Sequence, residues 1–86
     1  QDNAAAQNFL GYIYQMGRGV LKSPKQAFSW YTKAADNGHT TAQFNLGNLY
    51  EKGIGTPVNI AEAKRRYKTA ASEGNEKALT RLLSLE

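Results

Sequence analysis

The chain has no cysteine and only one histidine, one methionine and one tryptophan in 86 residues. Without thiols it forms neither disulfide staples nor thiolate metal sites, which suits a reducing compartment and leaves an oxidising one open. The single histidine, His39, sits in the turn "NGH", where an exposed turn residue is expected. Ser29 and Ser72 lie far from it along the chain, so no nucleophile, base and orienting group converge. Glu73 and Glu76 flank a glycine turn rather than share a helix face, so no carboxylate pair has metal-ligand spacing. These absences argue against an enzyme, and no catalytic residue, metal or cofactor is expected.

No apolar run approaches the roughly 20 residues of a membrane span. The opening "QDNAAAQNFL" lacks both the basic segment and the apolar stretch of a signal peptide. The chain as given therefore reads as soluble, with cytoplasm, periplasm and secretion all open. It starts without methionine and ends in "SLE", where Leu85 and Glu86 fit the remnant of a tag, so both ends read as those of an excised fragment.

What is present is a globular composition, 41% hydrophobic and 21% charged, with a net charge of +4 spread along the chain. A chain this short forms one unit of modest core, burying roughly 60 to 65% of its unfolded surface. Lys64, Arg65, Arg66 and Lys68 make the one dense basic run. It would suit an acidic partner or nucleic acid, but Glu62 and Glu73 dilute its field. A solvated helix face is the expectation, and no nucleic acid partner is expected.

The stretch "GYIYQMGRGV" at residues 11–20 has the look of a phosphate loop, yet 36 residues later "GNLYEKGIGT" repeats it. Aligned without gaps, residues 6–41 and 42–77 share twelve identities, among them Leu10/Leu46, Gly11/Gly47, Tyr14/Tyr50, Gly17/Gly53, Gly19/Gly55, Tyr31/Tyr67 and Gly38/Gly74. A repeat of this length signals a solenoid, in which each unit leaves an apolar face for its neighbour to cover. A dinucleotide loop needs a preceding strand and a Walker loop needs a closing Gly-Lys-Ser/Thr; neither is present. The glycines of "GRG" and "GIG" are therefore expected to supply the positive φ of a helix-to-helix turn.

Ala6, Leu10, Gly11, Tyr14 and Gly17 step by three or four, as do Ala42, Leu46, Gly47, Tyr50 and Gly53, which predicts first helices from about residue 4 to 16 and about 41 to 52. Ala27, Tyr31 and Ala34, matched by Ala63, Tyr67 and Ala70, predict second helices that end at "DNG" and "SEG". Ser23 before Pro24 is a start signal, with Asn59 in Ser23's place in the second unit. Gly11 and Gly47 lie mid-helix, where glycine costs about 1 kcal/mol relative to alanine. The expected compensation is close approach of the paired helix at Ala34, Ala35, Ala70 and Ala71, with Tyr14 and Tyr50 filling the space beside them.

The pattern Ala-x-x-x-Leu-Gly-x-x-Tyr-x-x-Gly-x-Gly, then Ala-x-x-x-Tyr-x-x-Ala-Ala-x-x-Gly, runs from Ala6 to Ala42 and again from Ala42 to Ala78. It closely resembles the Sel-1-like repeat, a relative of the tetratricopeptide repeat. Val20, Trp30 and Lys33 fit it in the first unit, whereas Thr56, Arg66 and Thr69 depart from it in the second. The resemblance implies an all-α, right-handed α-solenoid of stacked antiparallel helix pairs. Its units would be residues 6–41 and 42–77, with a partial or capping helix over 78–86, where Leu83 replaces the expected glycine. Two units and a fraction suggest a piece of a longer array, or a dimer that covers its open ends.

The resemblance further implies an adaptor whose first helices line a concave surface that grips partner proteins; some bacterial relatives set a weaker precedent for cell-wall or β-lactam compounds. On that surface the candidate partner-binding residues are Asn8, Tyr12, Gln15, Phe44, Asn48 and Glu51, a stripe stepping by three or four that lines up between units. Ala5, Met16, Thr41 and Lys52 flank it. Tyr12, Met16 and Phe44 equally fit packing against the adjacent repeat, as does Phe9. Three readings follow: a scaffold for a protein or peptide, a small-molecule or cell-wall-fragment binder on the same surface, or a structural segment of a longer solenoid.

Overall fold

The computed structural model describes residues 3–86. Over them the chain forms five helices, α1 (Ala4–Met16), α2 (Pro24–Asp36), α3 (Thr40–Lys52), α4 (Ile60–Ser72) and α5 (Glu76–Leu85), and no strand. Each start is fixed by a side chain that accepts from a freed backbone amide. Asn3, Ser23, Asn59 and Asn75 do this with oxygen, at 3.0, 3.2, 3.0 and 2.8 Å respectively. His39 does it for α3 with Nδ1, 3.2 Å from the Ala42 amide, so it is a half-buried cap rather than an exposed turn residue. The sequence held a clue in Asn75, a favoured cap residue, at the same place one repeat on.

The helix ends follow the glycines. Gly17 and Gly53 both adopt φ 71° after α1 and α3. After α2, the His39 amide donates to the Ala34 carbonyl and the Gly38 amide to that of Ala35, each at 3.0 Å. The same pair of bonds closes α4, from Asn75 to Ala70 and from Gly74 to Ala71. This double closure needs a left-handed residue, and Gly38 and Gly74 supply it. The longer loops are tied back by Ser23 N–H to the Tyr14 carbonyl and Asn59 N–H to that of Tyr50, both 2.9 Å.

Helix α1 pairs with α2 and α3 with α4, while α2 packs on α3 and α4 on α5, giving a slab of 36 × 27 × 16 Å. This is a solenoid of stacked helix pairs. One core cluster joins Ala27, Tyr31, Ala34 and Ala35 of α2 to Ala42, Leu46 and Leu49 of α3; another joins Ala63, Tyr67 and Ala70 of α4 to Ala78 of α5. Burying Leu46 and Leu49 contributes roughly 1.5–3 kcal/mol each. Across the junction between repeats, Phe28 meets Tyr50 edge-on, with ring centroids 5.4 Å apart.

The mid-helix glycines are compensated differently from the expectation. A Cβ on Gly11 would lie 2.6 Å from the Tyr31 ring, and one on Gly47 would lie 2.7 Å from the Tyr67 ring. A tyrosine of the second helix, not its alanines, makes the close approach, because a flat ring laid on bare helix backbone buries more apolar area than a methyl group.

Candidate functional site

The first helices of the two repeats carry the six candidate residues, and most of those side chains are also held internally. Asn8 Oδ1 accepts from the Asn45 amide at 3.0 Å, linking α1 to α3. Gln15 Oε1 accepts from the Tyr31 hydroxyl at 2.9 Å. In the second repeat the Tyr67 hydroxyl donates to Glu51 at 2.8 Å and lies 3.0 Å from Asn48 Oδ1, so these two candidates meet on one group. Glu51 also takes a short ion pair from Arg81 of α5. The face is thus a row of half-buried polar side chains pinned from beneath.

The two aromatic candidates differ. Tyr12 is 39% exposed, and its hydroxyl accepts from the Arg18 guanidinium at 3.4 Å. Phe44 is half-buried, tilted against the Tyr67 ring at 5.8 Å. It also lines an open cleft of about 500 Å³ between α3 and the α4–α5 turn, with Thr41, Asn45, Asn75, Glu76 and Lys77. Phe9, read from sequence as packing, is 60% exposed. Its counterpart Asn45 reaches back to the preceding first helix, and among the described residues none precedes α1.

Electrostatics follow from this pinning. Burial pushes the Tyr31 hydroxyl up to about 12, with Tyr12 adding to it. Burial and then the Glu51 carboxylate push the Tyr67 hydroxyl up as well. Partial burial works to raise the Glu51 carboxyl, but the Tyr67 hydroxyl and the Arg81 guanidinium outweigh it and hold it below the usual carboxylate range. All three groups keep their ordinary charge at neutral pH, a bound arrangement rather than one poised for proton transfer.

Sequence reasoning missed Arg81 and Asn45, which share one repeat position with Phe9 and reach back to the preceding first helix. In the basic run of α4, Arg65 and Arg66 share the Glu62 carboxylate, while Lys64 and Lys68 join no ion pair among the described residues. Arg65 bonds Glu62 through Nε at 3.1 Å, and Arg66 bonds Glu62 at 3.3 Å and Gln43 at 3.0 Å. In the first repeat Trp30 stands at Arg66's position, with the Lys33 ammonium 4.4 Å from its ring centroid.

The Sel1 repeat profile matches residues 4–39 and 40–75. Mouse DAP3-binding cell death enhancer 1 is 39% identical over 80 residues, which cover 93% of this chain and 15% of that protein. Activator of C kinase protein 1 of Saccharomyces cerevisiae is 41% identical over 88 residues, 96% of this chain and 14% of that protein. Among solved structures, a Sel1 repeat protein from Oxalobacter formigenes superposes with a TM-score of 0.91 at 48% identity, covering 93% of this chain and 33% of that one. The chain thus spans about a seventh of these curated relatives, which are named as an enhancer of cell death and an activator of C kinase. With two adjacent profile matches on the two helix pairs, the chain belongs to the Sel1 repeat family.

Proposed function

We propose that the chain is a non-catalytic adaptor that holds a peptide or protein partner on the face of its first helices, where Asn8, Tyr12, Gln15, Phe44, Asn48 and Glu51 lie. The cleft at Phe44 carries this reading: it is an open recess with an aromatic wall and a polar rim, beside amides fixed by internal hydrogen bonds. Fixed side chains lose little freedom when a partner docks, so less of the contact energy is spent on ordering. The mouse relative, named for binding DAP3, is a precedent for a protein partner. The cleft's volume also falls within the roughly 300–1,000 Å³ of small-ligand sites, which keeps a small molecule or cell-wall fragment as the alternative occupant.

The test is selection of short random peptides, displayed on phage, against the 86-residue chain. Enriched peptides should lose about tenfold or more in affinity to the Tyr12→Ala, Phe44→Ala double variant, with helical circular dichroism retained. Equal affinity for the double variant would place binding elsewhere. Displacement of those peptides by soluble muropeptides would favour the alternative.

A further inference from the structure

The two loops that join first to second helices, residues 17–23 and 53–59, lie along one edge of the slab. Apolar side chains crowd there: Leu21 is 91% exposed, Val58 60% and Met16 50%, with Val20 and Ile60 exposed as well. An apolar edge on a small domain is a mark of an interaction surface.

The charge around it has one sign. Arg18, Lys22 and Lys25 surround the first loop and Lys52 the second, and no acidic residue occurs in 16–25 or 52–61. The bordering carboxylates are already engaged, Glu51 by Arg81 and Glu62 by Arg65 and Arg66. None of these four loop cations joins an ion pair among the described residues. The acids Asp36, Glu73 and Glu76 sit instead at the opposite, second-to-first-helix turns.

Between the loops lies a mostly apolar recess of about 280 Å³, lined by Gln15, Met16, Lys22, Pro24 and Ile54. Its walls are fixed. The Gly55 backbone lies so close to Pro24 that a Cβ there would be 2.3 Å from the Pro24 carbonyl oxygen, and both loops are tied down by their Ser23 and Asn59 amides.

We propose that this edge is a second docking surface, separate from the first-helix face, for an acidic peptide segment whose single bulky apolar side chain enters the Met16–Pro24–Ile54 recess while its carboxylates meet Lys22, Lys52 and their neighbours. Charge complementarity selects the sign of the partner. The recess selects its form, because a preformed hole takes one side chain, whereas a lipid surface is met by side chains that project into it.

The experiment repeats the peptide selection on the same chain and sorts the winners by variant. Acidic peptides with one bulky apolar residue should be enriched. They should lose about tenfold or more in affinity to Lys22→Glu with Lys52→Glu, keep it with Lys22→Arg and Lys52→Arg, and weaken as salt rises. They should bind the Tyr12→Ala, Phe44→Ala variant as well as the parent chain, which separates this surface from the first-helix face. Winners that are all neutral or basic, acidic winners indifferent to charge reversal, or binding to phosphatidylserine vesicles without any acidic peptide would each overturn the proposal. The reversed positions are exposed, and unchanged circular dichroism checks that the fold is intact.

Discussion

The two repeats have the same backbone and different supports. All four of their helices span 13 residues, and the first helix of each ends on a glycine with φ 71°. Inside each hairpin a tyrosine ring lies on a glycine of the partner helix. Between repeats the likeness fails. Ala42 is fully buried beneath α2 whereas its counterpart Ala6 is exposed, and Gly55 is jammed against Pro24 whereas Gly19 has nothing within 4 Å. A repeat's own sequence therefore sets its hairpin, and its neighbour in the stack decides which other positions must stay small.

That distinction breaks most visibly at the glycines. Gly47→Leu should destabilise by about 2 kcal/mol or more despite leucine's better helix propensity, because the buried Tyr67 ring has nowhere to go. The melting temperature should fall by about 10 °C or more. Gly11→Leu should cost a similar amount, since the contact lies within the hairpin; an unchanged melting temperature for either would remove the ring-on-glycine account. The loop glycines should diverge. Gly55→Ala adds a clash with the Pro24 carbonyl to the strain of a left-handed residue, about 2 kcal/mol or more in all, whereas Gly19→Ala carries only the strain, about 1 kcal/mol. Equal thermal shifts for these two would show that the stack does not distinguish them.

Much of this was legible in the sequence because the repeat prints each constraint twice. Ser23 and Asn59, Gly17 and Gly53, and the buried tyrosines all recur in register, so periodicity alone located the helices and their ends. What recurs without saying why was misread: Gly11 and Gly47 announced a close approach, but not that a ring made it. Contacts between repeats were hardest, since Arg81 with Glu51 and Asn45 with Asn8 are 30 and 37 residues apart and follow no shared residue type. The six candidate residues were legible as one face. Their internal partners were not, because a hydrogen bond to a tyrosine hydroxyl leaves no spacing signal.

The tyrosine supports sharpen the comparison at a finer level. Tyr31→Phe removes a neutral bond to Gln15 and should cost about 1 kcal/mol. Tyr67→Phe removes a bond to a carboxylate and should cost about 1.5 kcal/mol or slightly more. Chemical denaturation of the two variants measures the difference, and a larger loss for Tyr31→Phe would contradict the assignment of the stronger support to the second repeat.

The smallest effect isolates the charge itself. Glu51 is held below its ordinary value near 4.5 in the folded chain, so it takes up its proton at lower pH folded than unfolded. Its contribution to stability is therefore fully present above that ordinary value and is lost as pH falls through the lower folded one. Glu62 behaves in the same direction, held down first by its bond to Arg65, but it lies outside the tyrosine network. Glu51→Gln gives the second repeat the amide that Gln15 provides in the first. As pH falls from neutrality through the ordinary carboxylate range and below it, its melting temperature should decline less steeply than that of the parent chain, and Glu62→Gln should flatten the remaining slope independently. If Glu51→Gln keeps the parental acid slope, the carboxylate adds nothing that an amide lacks, and the two repeats are supported alike after all.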